Sequence, residues 1–405
     1  MIHFWELPEN RNYILLKEDF KNNIIENLKD KNLLNRQFRK IKNQKIRIKT
    51  IKNIVNLLNL DLDLVERNIV WIGGSNSKGL HNPILPINIK GRAFARFIAG
   101  IMNDGCLTKE NKNSYGRLMY DNFDKTLRGS IIKDYLTCFG GNIKEIPFRD
   151  YKDKKFLEFT SIMRDIVFII MKKKGSKADN NIELPDFIFN GTENMLGWIE
   201  QTIADEGEVK YEPEKYRRSI IWRRSFDVTN LFKSSISEEI PLGKLPNKIK
   251  SEIFNQKFNL FESELKILNI LGIKYKTYNL GVYPTEKGKI RTRWQINITK
   301  RNNLIKLRNL IKIPSQDKDE KFTQMCNGFQ RYKEPLKIRE TIIELCKSNG
   351  KINSIELKMK MNYKNLGTST NWLKRFEKEG IIEKIKSSKY GGGKYRTAAE
   401  YILKI

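Results

Sequence analysis

Two segments of this chain share one pattern, and that pattern limits what the chain can fold into. They are ARFIAGIMNDGCL at 95–107 and GWIEQTIADEGEV at 197–209. Each is an apolar stretch at helical spacing that ends in an acid, followed by Gly and a strand-like start. Gly105 and Gly207 lie 102 positions apart (207 − 105), a domain-sized interval. The flanks repeat too. After the first segment come LMYDNFD, SIIKDYLTCFG, FLEFTS and IMRDIVFIIMKKKG; after the second come SFDVTN, ESELKILNILG, RWQINIT and NNLIKLRNLI. The order helix, strands, helix, strands, helix occurs twice, so the region from about Ile87 to Glu320 reads as an internal duplication.

A chain of 405 residues has room for two to four domains. Its formal net charge of +30, from 77 Lys and Arg against 47 Asp and Glu, points to a polyanionic partner. The charge is spread along the chain, whereas a membrane-surface protein would concentrate it on one amphipathic helix or beside a lipidation signal. No apolar run is long enough to span a bilayer. The start, MIHFWELPEN, lacks the basic flank and apolar stretch of a signal peptide. Cys106, Cys138, Cys326 and Cys346 show no CxxC spacing, which disfavours a zinc ribbon or disulfide framework. A reducing, cytoplasmic location is expected. With only His3 and His81 present, and neither in suitable sequence company, histidine-based catalysis is not expected.

The two segments resemble the paired motifs of monomeric LAGLIDADG homing endonucleases. The lead-in ELPDFIFNGTENMLGWIEQTIADEG is similar to that family's approach to its second motif. The resemblance spans roughly the central 230 residues. It implies an α+β fold of two pseudo-symmetric αββαββα repeats forming a DNA-binding saddle, in a monomer that cuts both strands of double-stranded DNA at a specific site. The sequence departs from the pattern at Ala99 and Gln201, where Gly is usual.

The chemistry can be argued from the residues as well. Two helices packed tightly need small side chains at the contact; Ala95, Ala99 and Gly100 supply them on one side, Gly197 and Ala204 on the other. Each helix then delivers one carboxylate, Asp104 and Glu206, to a shared end. Asp205 stands beside Glu206, which is taken as the counterpart because it directly precedes Gly207 as Asp104 precedes Gly105. The Gly is expected to turn the chain in a left-handed conformation. Converging carboxylates repel unless a cation lies between them, so Asp104 and Glu206 are the expected ligands of Mg²⁺ or another divalent ion. The family resemblance further implies a charge-balancing basic residue after a late strand. Lys300 is the candidate, with Ser161 and Arg164 at the matching point of the first half.

DNA contacts are expected from strand arginines, since alternate side chains share a face. Arg217, Arg218, Arg223 and Arg224 surround Trp222; Lys287, Lys289, Arg291 and Arg293 flank Trp294. Both ends carry further modules. In residues 1–72, KTIKNIVNLLNLDLDLVERNI resembles the end of a repressor-type helix-turn-helix, with the basic run Arg36–Lys49 before it. A linker is expected over 73–90. Its His81–Asn82 pair is followed by Pro83 where an intein would need a nucleophile, so a free-standing protein is expected. The repeats are placed at 91–190 and 191–325. In 333–405, three helices and a basic hairpin turning at Gly391–Gly393 resemble a winged helix. Its third helix offers Thr370, Asn371, Lys374 and Arg375 to the major groove, and Lys384, Lys386, Lys389 and Lys394 sit in its wing.

A site-specific DNA endonuclease that moves its own reading frame is therefore the leading expectation. The alternative is a DNA-binding transcriptional regulator that uses the same fold without cutting, and a third is an RNA-splicing helper.

Overall fold

The structure is a computed structural model that describes residues 1–30, 41, 45–75, 78–108, 117–151, 154–172, 181–213, 217–330, 335–363, 365–387 and 398–404. Two units emerge, Met1–Cys326 and Asn327–Ile405. The architecture mixes helices with four small antiparallel sheets.

The N-terminal segment adds a sheet to the expected helix-turn-helix-like helices. It holds β1 (Asn12–Leu16), α1 (Glu18–Asp30), β2 (Ile46–Arg47), α2 (Ile48–Leu58), α3 (Leu62–Glu66), β3 (Ile69–Gly74) and β4 (Leu80–His81). The helical spacing is present, since Ile24, Ile25 and Leu28 of α1 and Ile51, Ile54, Val55 and Leu58 of α2 are buried. They cover a sheet ordered β2-β1-β3-β4. The strand signal was the period-two burial of Asn12, Ile14 and Leu16. Helix α3 has five residues and an acidic start, too short to act as a recognition helix. The stretch 73–90 is not a free linker: His81 pairs with Trp71, and Ile87 bridges Ile2. Most of the basic run before α2, at 36–40 and 42–44, lies outside the described residues.

The central region begins with α4 (Arg92–Asn103), β5 (Gly105–Leu107), β6 (Leu118–Asp121), α5 (Lys125–Phe139), β7 (Phe148–Tyr151), β8 (Lys154–Phe159) and α6 (Ser161–Met171). It continues with α7 (Thr192–Glu206), β9 (Gly207–Glu212), β10 (Arg217–Asp227), α8 (Asn247–Asn255), α9 (Asn259–Ile270), β11 (Lys276–Pro284), β12 (Ile290–Ile298), α10 (Arg301–Leu310) and α11 (Gln316–Gln330). The sheets run β5-β6-β8-β7 and β9-β10-β12-β11, so each places its four strands in the order first, second, fourth, third. Among the described residues, helix α8 has no counterpart in the first half. Rings of Phe97, Tyr135, Phe139 and Phe159 pack under the first sheet. Phe258, Phe261 and Trp294 do so under the second.

Helices α4 and α7 are buried along most of their length, because each meets the other as well as its own half. Their approach is closest at Gly197, where a Cβ would stand 2.4 Å from the Arg92 carbonyl oxygen and 3.1 Å from the Ala95 Cβ. Gly100, expected at this contact, faces Ile131 of α5 instead. Glu200, 1 % exposed, ties the start of the pair together by accepting from Arg92 (3.1 Å) and Arg96 (2.9 Å).

The second unit contains α12 (Pro335–Asn349), β13 (Ile352–Asn353), α13 (Ser354–Met361), α14 (Leu366–Lys378), β14 (Ile382–Lys386) and β15 (Glu400–Leu403), with a sheet ordered β13-β15-β14. Asn353 and Glu356 close a capping box on α13. The core gathers Ile338, Ile342, Leu357, Leu373, Phe376 and Tyr401. The turn at Gly391–Gly393, with Lys389 and Lys394, lies outside the described residues.

Replacing Gly197 with Ala should cost about 1–3 kcal/mol in urea unfolding through overpacking. Gly129→Ala, in the exposed middle of α5 with nothing within 4 Å of its Cβ, should gain up to about 1 kcal/mol. Equal stability of both variants would show that α4 and α7 do not meet at Gly197.

Candidate active site

The helix pair ends in three carboxylates. Asp104 caps α4, and Asp205 and Glu206 finish α7. Neither following glycine is left-handed: Gly207 is extended at φ −87°, and Gly105 is absent from the positive-φ residues. Glycine is required for a different reason. A Cβ on Gly105 would lie 2.5 Å from the Ile101 carbonyl oxygen, and one on Gly207 2.5 Å from that of Ile203. The strand doubles back against its own helix too closely for a side chain.

Asp205 reaches across the helix contact into the first half. Its carboxylate accepts from Tyr120 Oη (2.7 Å), Gln201 Nε2 (2.8 Å) and Asn103 Nδ2 (3.3 Å). Burial, followed by repulsion from Asp104, pushes its pKa up to about 8 against those three hydrogen bonds. Tyr120 is itself pushed well above its usual range by burial and by Asp205. Gln201 thus serves as a donor to Asp205.

The other two acids have different neighbours. Asp104 accepts from Asn122 Nδ2 at 2.6 Å. Glu206 lies 3.3 Å from Arg224 Nη1. Arg224 was expected on the DNA face, and this expectation is corrected. It is buried on the core side of β10, donates to Glu264 at 2.5 Å and to Asn103 Oδ1 at 2.9 Å, and so cannot reach a groove. Glu264, fully buried, is also held by the indoles of Trp198 (3.3 Å) and Trp222 (3.0 Å).

Lys300 is exposed at the cap of α10. The ammonium placed at the acids belongs instead to Lys318 of α11, whose Nζ donates to the carbonyls of Ala204 (2.5 Å) and Ile203 (3.3 Å). A cation there offsets the partial negative charge at the end of α7. Burial lowers the Lys318 pKa while Asp205, Asp104, Asp124 and Glu206 oppose that shift.

The remaining expected DNA contacts sort by face. Arg223 is exposed and opposite Gln295, while Ser225 pairs with Arg293 and Asp227 with Arg291. Arg217 shares the Arg223 face by strand alternation and lies 3.8 Å from Glu212. Arg293 stacks on Tyr283 at 4.4 Å. Arg218 points to the other face of β10 and lies over Tyr211. A cavity of about 500 Å³ opens beside Glu206, with Cys106, Arg223, Arg224 and Arg291 on its walls. In the second unit, Asn371, Lys374 and Arg375 of α14 are exposed. Thr370 is half-buried, its hydroxyl donating to the Leu366 carbonyl.

Sequence reasoning missed Asn103, Tyr120 and Asn122, yet a signal existed. The interval of 102 that relates the glycines also relates Asn103 to Asp205, Tyr120 to Trp222 and Asn122 to Arg224. The ladders agree, with Gly105 opposite Tyr120 and Gly207 opposite Trp222. Lys318 and Glu264 had no such signal. The histidines also have partners the sequence could not show, His3 with Glu66 (2.9 Å) and His81 with Glu145 (2.8 Å).

No family model matches the chain, and no curated protein matches it. Among solved structures it is similar to the homing endonuclease I-WcaI bound to its DNA recognition sequence, at 12% identity and a TM-score of 0.28. The match covers 55% of this chain and 82% of that one. At that score the likeness says nothing about what this chain does. No helix among the described residues is long and apolar enough to cross a membrane.

An Asp205 pKa above its unfolded value means that the folded state binds the proton more tightly. This contribution favours folding at low pH and is lost as pH rises from about 4 towards 8. In metal-free buffer, Asp205→Asn should therefore gain melting temperature over the unmodified chain at pH 9 relative to pH 5. An equal difference at both values would contradict the raised pKa.

Proposed function

We propose that this chain is a site-specific, divalent-metal-dependent DNA endonuclease of the two-motif LAGLIDADG type. The observation that carries the reading is the placement of Asp104 and the Asp205–Glu206 pair at one end of two tightly packed helices. The 102-residue offset and the common strand order support a duplicated, pseudo-twofold monomer. The net charge of +30 supports a nucleic-acid partner.

The donors are carboxylate oxygens, the chemistry a hard divalent cation takes, although Asp104, Asp205 and Glu206 do not form a ready-made ligand cluster. Burial chiefly raises the Asp205 pKa, and repulsion from Asp104 adds to it; a dication would relieve that repulsion. Asp104 and Glu206 would hold it, with Asp205 beside them. Bound Mg²⁺ supplies charge neutralisation at the scissile phosphate and acidifies a water ligand. The chain's own groups do the rest. Arg217, Arg223, Arg291 and Arg293 grip the duplex along the open face of the second sheet. The cavity beside Glu206 accommodates a phosphate against Arg223 and Arg291. Arg224 holds Glu206, and Lys318 balances the acids' charge from the end of α7, the role first expected of Lys300.

The terminal unit has the element order of a winged helix, helix–strand–helix–helix–strand–strand. Asn371, Lys374 and Arg375 are offered to the major groove by α14, with Lys384 and Lys386 on β14 close to backbone.

Incubation with duplex from its own genetic neighbourhood tests the reading. Mg²⁺-dependent cleavage of both strands is expected, and Asp104→Asn or Glu206→Gln should abolish it while duplex binding persists. Tight, specific binding by the unmodified chain without cleavage in Mg²⁺ would overturn the endonuclease reading in favour of a transcriptional regulator.

A further inference from the structure

Between the N-terminal sheet and the first-half sheet lies an open cleft of about 700 Å³. Its walls carry Arg11, Arg47, Lys78, Arg117, Arg149 and Arg164 against the carboxylates of Glu145, Glu158 and Asp165. Six cations face three acids.

The acids are engaged by the other side chains of the cleft, and exposed Arg47 and Lys78 stand outside those pairings. Buried Asp165 at the start of α6 receives both Arg11 and Arg164 and also Asn12 Nδ2 (2.9 Å), an arrangement that anchors β1 to α6. Glu158 receives Arg149 and, at 3.6 Å, Arg117. Glu145 is engaged by the His81 ring and main chain. Arg47 is braced by Tyr13, to whose hydroxyl its Nε donates at 2.6 Å, and it remains exposed. Lys78 is exposed as well.

The cleft also continues a defined surface. Glu158 pairs in register with Met119, while the neighbouring pair, Leu157 with Tyr120, faces the core. Glu158 and its two arginines therefore lie on the outward face of the first sheet. Arg117 precedes Tyr120 by three positions, so the cleft begins roughly 10 Å along β6 from the acid cluster.

We propose that this cleft binds the phosphate backbone of duplex DNA flanking the cleavage site, so that the N-terminal segment lengthens the footprint on the side of the first half. The ligand chemistry is the phosphodiester, and its contacts add affinity and register without reading bases. The proposal rests on the reading of DNA as the partner, but not on cleavage.

The test compares the unmodified chain with the double variant Arg47→Gln, Lys78→Gln, both at exposed positions outside the shared-acid clusters. Anisotropy of a labelled random-sequence duplex across a salt series reports the slope of log K against log salt. Each lost phosphate contact should flatten it by about 0.9, hence by about 1.8 for the pair. The hydroxyl-radical footprint should shorten at one end, and Arg117→Gln, on the opposite wall, should flatten the slope independently. An unchanged slope and footprint in a chain that still cuts DNA overturns the cleft and leaves the endonuclease reading intact. A flattened slope in a chain that binds but never cuts supports the cleft and overturns the endonuclease reading. Failure of the unmodified chain to bind any duplex overturns both.

Discussion

Everything at the centre of this protein depends on how closely α4 and α7 approach. With no side chain at Gly197, the backbone of one helix rests against Arg92 and Ala95 of the other. That contact sets the spacing of all that follows along the pair. At its start, Glu200 gathers two arginines; at its end, Asp104 and the Asp205–Glu206 pair finish the two helices, with Asp104 repelling Asp205. The energetic problem created there is electrostatic, since acids at helix C-termini oppose both the macrodipole and one another.

The two halves answer that problem differently. Position for position along the 102-residue interval, Asn122 stands at Asp104 and Arg224 at Glu206. Asn103 and Asp205 occupy matching places and bond to each other across the contact. Arg224 belongs to a buried network with Glu264 and two tryptophans, so the second half sets its acid on a stiff support. Lys318 comes from α11, beyond the second sheet, and closes the end of α7. A divalent cation bound among these acids would join counter-charges already built into the fold.

Much of this was legible in the residues. The apolar period of 95–104 and 197–206 predicted the two helices, and the shared interval predicted matching halves. Strand alternation marked arginines of these strands as candidates for an exposed face, and the register of β10 with β12 puts Arg223 and Arg293 on the same one. What failed was whatever depended on partners distant in sequence. Arg224 looked like its neighbours on β10 until Glu264, forty residues on, claimed it. Lys300 had the expected strand position, but Lys318 is the residue whose helix delivers it to the acids. The N-terminal sheet was hidden because β2 and β4 are only two residues long and borrow their identity from β1 and β3. The glycines after the acids were correctly singled out for the wrong cause: steric contact with their own helix, and no left-handed turn.

The most direct test of the central claim is a crystal grown with duplex DNA and Mn²⁺, read by anomalous scattering. A manganese peak within coordination distance of Asp104 and Glu206, with Asp205 alongside, is the predicted result. Well-ordered acids still paired with Asn122, Arg224 and Tyr120, and manganese bound elsewhere or nowhere, would contradict it.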